Sequence, residues 1–459
     1  MKKYFLAVAS FFIYSHISLG QVYPGQMDST FVPVRSHHYD PELTFDFCVN
    51  EPAWNNQAGI HSAFGSTDRL YFRKEVPVNH NNDLSSSYST TVWRGERANA
   101  QILVWSSEAL EQVRVSTQDL RSAEGNIIPK DRITFELVRY VLSNYPYAEK
   151  KAICGESPYK SGFLMPDRFE TLDRFDLPSQ TTRPVWMMVD VPRGTVPGTY
   201  KGQVEVRAKG KAPQLLNLEI VVQNQLLPYP KDWKYRLDLW QNPWAVAWYN
   251  HVEPWSPEHK MLLKQHLKHY ADAGGTYITT YGVHSPWSDN SYMIEGGMIE
   301  WIKKADGTWA FDYKIFDEYV ELAMECGIDE AITLYTPIPW GFRHRYKDEA
   351  TGDYSYINWA PSSEEFKKMW NIFLTDFKFH LEAKSWLDIT YIGINENPME
   401  ETLAAINVVR NHDKCWKITY AGNWHKELDG LLDDYSFLYG EEPTIAEQKA
   451  RAATGRTST

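Results

Sequence analysis

The spacing of apolar residues changes near Trp233, and that change constrains the fold more than any other feature. Before it, "QILVWSS" (101–107), "VRVSTQDL" (113–120), "VWMMVDVP" (185–192), "GQVEVRAKG" (202–210) and "LLNLEIVVQN" (215–224) alternate apolar and polar residues. A period of two is that of a half-buried strand. Turns such as "PRGTVPGTY" separate the strands, and no stretch there sustains a helical period. Short strands at this spacing predict a β-sandwich over residues 21–228. "NQLLPYPKDW" (224–233), with two prolines, reads as a linker.

After Trp233 strands alternate with helices. Strands are expected at 235–240, 276–282, 331–336, 389–394, 417–422 and 435–440. Helices are expected at 256–275, 311–328, 362–385, 399–412, 425–434 and 444–455. Ser256 with Pro257 opens the first helix, Gly274 or Gly275 closes it, and Ser362 or Ser363 caps the third. Repeated strand–helix units mean parallel strands with helical crossovers. A doubly wound sheet and a (β/α)₈ TIM-type barrel both satisfy that pattern. No glycine-rich turn follows the first strand, which argues against a dinucleotide site. Polar and aromatic residues collect after the C-terminal ends of the strands, where a barrel carries its active site. The expectation is a β-sandwich domain followed by a TIM-type barrel over residues 229–459. About six βα units are counted, so the barrel is incomplete and lacks its last strands.

The first twenty residues combine Lys2 and Lys3, an apolar run from Tyr4 to about Tyr14, and a small-residue site at Ser18-Leu19-Gly20. That is the pattern of a secretory signal peptide, so the protein is expected to be exported, to a periplasm or beyond. No later run is apolar enough to span a bilayer. The formal charge is −12 with no basic patch, which argues against nucleic acid as a partner. Cys48, Cys154, Cys326 and Cys415 are far apart, show no metal spacing and suggest no bridge.

The strand ends carry the residues with candidate chemistry. Of 18 tryptophans, only Trp54, Trp93, Trp105 and Trp186 precede Trp233, so the aromatic rings are concentrated where the strand ends lie. Flat aromatic faces beside a few amides and carboxylates suit sugar rings, whose faces are apolar and whose edges are polar. Trp240, His284, Tyr335, Trp340, Trp424 and His425 are the candidate pocket walls, placed by strand-end position; packing of loops is the competing role for any one tryptophan. Asn395 and Glu396 stand where the strand "ITYIGI" stops. Glu396 is the candidate acid/base, because glycosidic cleavage needs a proton delivered to the leaving oxygen. Capping of the helix at Met399 explains the same pair equally well on local sequence. His284 and His425 have no partner at metal-ligand spacing, and no H-E-x-x-H, nucleophile elbow or phosphate loop occurs. No metal and no cofactor is expected. Arg343 and Arg345 read as surface charges, and Glu441 and Glu442 as solvated acids.

Together, "VWRGERANAQILVWS" (92–106), "RPVWMMVDVPRGTVPGTYKGQVEV" (183–206), "LDLWQNPWAVA" (237–247), "FDEYVELAMECGIDEAITLYTPIPW" (316–340), "WLDITYIGINENPMEE" (386–401) and "AGNWHKEL" (421–428) resemble glycoside hydrolase family 123, the exo-acting β-N-acetylgalactosaminidases. The resemblance spans most of the chain after the leader. It implies an exported enzyme, with a β-sandwich ahead of a (β/α)₈ barrel, that releases terminal β-linked N-acetylgalactosamine from a glycan. It also implies substrate-assisted hydrolysis, in which the sugar's 2-acetamido oxygen attacks its own anomeric carbon. An Asp then steadies the acetamide N–H, and the adjacent Glu protonates the leaving group. That pair falls on Asn395 and Glu396, so an amide stands where the family pattern has a carboxylate. Family members also continue beyond the point where this chain stops. Two alternatives stay open. "INENP" also suits a retaining (β/α)₈ glycosidase with Asn on the sugar 2-hydroxyl and a nucleophilic Glu beyond the chain end. An inactive sugar-binding relative would carry the same substitution.

Overall fold

The computed structural model describes residues 51–78, 84–143, 163–234, 236–287, 295–438 and 442–458, with Gly440 and a short strand pair at 27–28 and 42–43. The expected leader, Cys48, Cys154 and Glu441 lie outside the described residues. The chain divides into two compact units, Met1–Leu227 and Pro228–Thr459.

The first unit is β-rich. Its strands are β1 (His61–Gly65), β2 (Ser87–Arg94), β3 (Arg97–Ser106), β4 (Leu110–Thr117), β5 (Ile133–Ser143), β6 (Phe163–Thr171), β7 (Phe175–Leu177), β8 (Thr181–Asp190), β9 (Gly198–Arg207) and β10 (Gln214–Leu226). One sheet runs β6-β5-β8-β3-β1; the other runs β7-β4-β9-β10-β2, with two two-residue strands alongside. Alternation explains how they meet. Val185, Met187 and Val189 of β8, and Leu216, Leu218, Ile220 and Val222 of β10, all enter one apolar cluster. The pairings are antiparallel except β2 with β10, which run parallel and join Ser87 to Asn217. Those residues are 130 positions apart, so no turn signal announces the pairing.

The second unit holds a six-stranded sheet in which every strand is parallel to its neighbour. The strands are β11 (Tyr277–Tyr281), β14 (Ala331–Tyr335), β17 (Thr390–Ile394), β18 (Lys417–Gly422), β19 (Asp434–Phe437) and β20 (Thr457–Ser458), in that order. Helices α2 (Pro257–Asp272), α3 (Lys314–Glu325), α4 (Glu364–Lys384), α5 (Met399–His412), α6 (Lys426–Asp429) and α7 (Ile445–Ala453) form the crossovers where the helical periods place them. On α4, Phe366, Trp370, Phe373, Phe377 and Leu381 recur every three or four residues and are all fully buried. Ser363 caps that helix by accepting the Phe366 N–H at 3.1 Å.

Four features differ from the sequence reading, one being β20, a short strand not expected after the last helix, which pairs parallel with β19. The strand expected at 235–240 is reduced to one bridge, Leu237 with Gly275. Side chains take the ladder's place: the Tyr270 hydroxyl donates to Leu237 O at 2.7 Å, and Gln241 Oε1 accepts the Thr279 N–H at 3.0 Å. Where a helix was not expected, α1 (Pro243–Asn250) forms, capped by Asn242 with Pro243 in its first turn. A separate four-stranded sheet, β13-β12-β15-β16, is built from β12 (Glu300–Lys303), β13 (Trp309–Asp312), β15 (Arg343–Asp348) and β16 (Tyr354–Asn358). One face of it, through Trp301, Phe311 and His344, packs on Trp370 and Phe373 of α4.

His344 makes this packing sensitive to pH. It is buried, its Nδ1 lies 3.1 Å from Phe342 O, and its Nε2 accepts the Trp370 indole N–H at 3.2 Å. Only the neutral ring with a proton on Nδ1 satisfies both partners. Burial accordingly pushes its pKa down to about 4. The unfolded chain binds the extra proton first, below about 6.5. The stability from the neutral ring is therefore complete above that pH and falls as pH drops through 4, by at most about 3 kcal/mol. Urea unfolding is expected to show this loss between pH 7 and pH 4. His344→Phe should flatten the dependence, and an unchanged slope would rule His344 out as its source.

Candidate active site

The residues that end β17 and β18 form the candidate site. Asn395 and Glu396 follow β17 directly, and their side chains part company. Asn395 is buried, 3% exposed, while Glu396 reaches solvent. The Asn395 amide nitrogen lies 3.5 Å from Ile338 O, in the loop after β14, and Asn397 Nδ2 donates to the same carbonyl at 3.2 Å. Asn395 Oδ1 is left buried with no hydrogen-bond partner. A buried acceptor without a partner is costly unless something fills its lone pairs, so it marks where a donor belongs.

Glu396 leans across to β18. Its Oε1 accepts the Asn423 N–H at 3.3 Å. This seat exists because position 422 is glycine: a Cβ there would lie 2.4 Å from Glu396 Oε1 and 2.6 Å from its Cγ, and φ of Gly422 is +152°. Gly422→Ala should therefore displace the carboxylate and leave the core alone. The expected result is a loss of activity of about 10²-fold, with about 1–2 kcal/mol of stability lost to backbone strain. Comparing kcat with the unfolding midpoint checks this; full activity in a folded variant would remove Gly422 from the site.

The aromatic candidates fall into two groups. Trp240, half exposed, stacks on Trp287 at 5.4 Å and meets Tyr335 edge-on at 5.1 Å. Tyr335 is buried under both rings and acts as their support. Its Cδ1 is 3.2 Å from the Cβ position of Gly393, two residues before Asn395, so this group adjoins the pair. Trp424, half buried, packs on Tyr435 at 5.2 Å and on Phe437 at 5.6 Å. The Tyr435 hydroxyl donates to Asn423 O at 2.6 Å and accepts the His425 N–H at 2.8 Å, which pins the loop that also holds Glu396. His425 stands at the start of α6. Trp340 lies in a short turn whose N–H donates to Pro286 O at 2.9 Å. His284, half buried in the loop after β11, is held neutral: burial, with Arg345 and Arg343 nearby, pushes its pKa down to about 4.

The profile of the family described as glycoside hydrolase 123, catalytic domain, matches residues 240–459, and that of the glycoside hydrolase 123 N-terminal domain matches residues 64–208. The chain belongs to glycoside hydrolase family 123. Among solved structures, a family 123 glycoside hydrolase from Clostridium perfringens, studied for glycolipid glycan hydrolysis, is similar over 88% of this chain and 72% of its own, at TM-score 0.77 and 24% identity. That likeness establishes the shared fold. A family 39 glycoside hydrolase from Bacteroides cellulosilyticus (TM-score 0.25, 13% identity, 71% of this chain and 55% of its own) is too remote to add to it. The same is true of a family 5 xyloglucanase from Bacteroides ovatus (TM-score 0.21, 10% identity, 77% and 70%). No curated protein sequence matches the chain.

The family 123 enzyme is thus a glycoside hydrolase with a β-rich N-terminal domain and a catalytic domain. Among its described residues no group of three or more His, Cys, Asp or Glu side chains is arranged to hold a metal, and no helix is long and apolar enough to cross a membrane. Several residues escaped the sequence reading. Trp287 lies in the loop after β11 and by sequence is indistinguishable from any other tryptophan. Gly422 carried a usable signal, a glycine at a strand end next to polar residues. Asp238 carried none: it looks like an ordinary polar strand position, yet burial, with Asp434 adding to it, pushes its carboxyl up to about 7.

Proposed function

We propose that this enzyme releases terminal β-linked N-acetylgalactosamine from glycans by substrate-assisted, retaining hydrolysis. The observation that supports this best is the division of labour in one dipeptide: a buried acceptor without a partner at Asn395, beside a seated carboxylate at Glu396. In the first step Glu396, protonated, gives its proton to the glycosidic oxygen as the C1–O bond breaks. The acetamido oxygen closes on C1 to form an oxazolinium ion that keeps its N–H, while Asn395 Oδ1 accepts a hydrogen bond from that N–H and holds the group in line. In the second step the Glu396 carboxylate takes a proton from water, which attacks C1 and reopens the ring. Two inversions at C1 retain its configuration. Trp240 and Trp424 offer apolar faces to the sugar, and neutral His284 offers a hydrogen bond.

The same reading takes the parallel sheet as part of a (β/α)₈ barrel. Adjacent strands follow chain order, and the Leu237 bridge adds a first stave before β11. The two sheets that share the N-terminal core are read as a β-sandwich, with the domains dividing near residues 228–229. Residues 1–20 are read as an export signal. A glycolipid glycan, hydrolysed by the clostridial relative, is one substrate whose terminal sugar this site would take.

A thiazoline mimic of the oxazoline is the test. Competitive inhibition at micromolar concentration is expected, and none at millimolar concentration would overturn the mechanism. The amide at position 395 favours one other reading, the retaining glycosidase in which Asn binds the sugar 2-hydroxyl. Trapping a covalent 2-fluoro-sugar intermediate would establish that reading instead.

A further inference from the structure

The hairpin of β15 and β16 carries a row of cations on the face turned away from the core. His344 and Tyr346 lie on the packed side, so Arg343, Arg345 and Lys347 share the other. Across the ladder, Arg345 pairs with Tyr356 and Lys347 with Tyr354. The Arg343 guanidinium sits 4.5 Å over the Tyr356 ring, and that of Arg345 sits 4.2 Å over Tyr354. Both tyrosines remain about half exposed, at 49% and 51%. Among the described residues the carboxylate on this row is Glu300, 3.4 Å from Arg345 and hydrogen-bonded by the Tyr354 hydroxyl at 3.0 Å. Arg343 has no carboxylate partner among the described residues, and Arg345 Nε is buried without an acceptor. In a chain of net charge −12, three cations on the hairpin stand out against Glu300 and, one strand further, its cross-strand neighbour Asp312.

The row lies near His284, one of the candidate pocket walls, whose ring feels the charges of Arg345 and Arg343. Arg343 lies five residues after Ile338, whose carbonyl holds Asn395 and Asn397. Five extended residues span at most about 18 Å. The loop that carries His284 is fastened to the same sheet: Ser285 N–H donates to Gly296 O at 2.7 Å, and the Cβ position of Gly297, three residues before β12, is 3.3 Å from His284 Cα. Guanidinium groups held over aromatic rings keep their N–H edges free, and those edges match carboxylate and sulfate oxygens.

We propose that the outer face of this hairpin is a leaving-group subsite that selects acidic saccharides, those bearing a carboxylate or a sulfate on the sugars beyond the scissile bond. The position of the subsite rests on the reading of Asn395 and Glu396 as the cleavage site. An exo-acting site closes over the terminal sugar, so further sugars extend only on the leaving-group side, which the proposal places toward this hairpin.

Binding to the Glu396→Gln protein tests the subsite without relying on turnover. The probes are three tetrasaccharides with the same unsulfated terminal N-acetylgalactosamine: chondroitin sulfated at O4 of the inner N-acetylgalactosamine, unsulfated chondroitin with carboxylates only, and a carboxyl-reduced, unsulfated one as the neutral reference. Calorimetry at 50 mM salt is expected to give about tenfold tighter binding of the acidic probes than of the neutral one. That ratio should fall toward one with Arg343→Gln, and toward one at 500 mM salt with Arg343 in place. Preference for the sulfated probe alone assigns the site to sulfate; preference for both assigns it to anionic saccharides in general. Equal binding of all three probes, or a preference that survives both Arg343→Gln and high salt, overturns the proposal. Failure of the cleavage reading would show separately, as absence of thiazoline inhibition.

Discussion

Glu396→Gln is expected to lower hydrolysis of an unactivated disaccharide by about 10²–10⁴-fold, the usual worth of a positioned general acid and base. The fold should be unaffected. Glu396 is exposed, glutamine has the same shape, and its amide oxygen can still accept the Asn423 N–H. What disappears is the proton. The loss should therefore depend on the leaving group: a 4-nitrophenol departs without protonation, so the first step with that substrate is nearly spared and the second becomes limiting. Added azide, a nucleophile that needs no base, should then restore turnover and yield a glycosyl azide. The check is kcat on both substrates with and without azide. Activity within threefold of the parent on the disaccharide would remove Glu396 from the acid/base role.

Asn395→Asp is expected to act in the opposite direction, raising kcat by about 10²–10³-fold. That is the scale of one preorganised electrostatic contact with a charge that develops in the transition state. The amide orients the acetamide N–H but cannot offset the positive charge that grows on the oxazoline; a carboxylate does both. The substitution has a cost that the structure makes plain. Asn395 is buried and its nitrogen faces Ile338 O, so an aspartate turns an acceptor toward an acceptor. Asn397 still satisfies that carbonyl, which limits the loss to about 1–3 kcal/mol. Burial also raises the new carboxyl's pKa. Below that pKa it is neutral and no better than the amide, so the gain should vanish on the acid side and be complete above it. Profiles of kcat/KM against pH for both proteins test this. No gain at any pH would sink the charge argument and favour Asn on a sugar 2-hydroxyl.

Much of the fold was legible because it is local. The crossover helices α2 and α4 announce themselves by the capping residues Ser256 and Ser363, and α4 also by apolar residues every three or four positions from Phe366 to Leu381. Strands β3, β4, β8, β9 and β10 announce themselves by alternation. What stayed hidden depends on distant partners. The parallel pairing of β2 with β10 is invisible in either segment alone. The sheet of β12, β13, β15 and β16 joins strands separated by the helix α3. The first strand of the second unit faded because Tyr270 and Gln241 took over its backbone bonds.

The candidate site divides in the same way. That Asn395 and Glu396 stand together at a strand end is a property of the sequence, since adjacency and strand length are written into it. That one is buried with an unpaired oxygen while the other lies over Gly422 was decided by tertiary structure. Ile338, Gly422 and Asn423 come from two other strand ends, and nothing in the spacing of residues 395 and 396 refers to them. Arg343 and Arg345 show the same limit: as residues they read as solvated charges, and only the hairpin register sets them over Tyr356 and Tyr354. Sequence periodicity dictates which face of an element is apolar, because that depends on neighbours two to four residues away. Which polar groups then meet depends on how the elements close on one another, and burial, not sequence distance, sets the strength of those encounters.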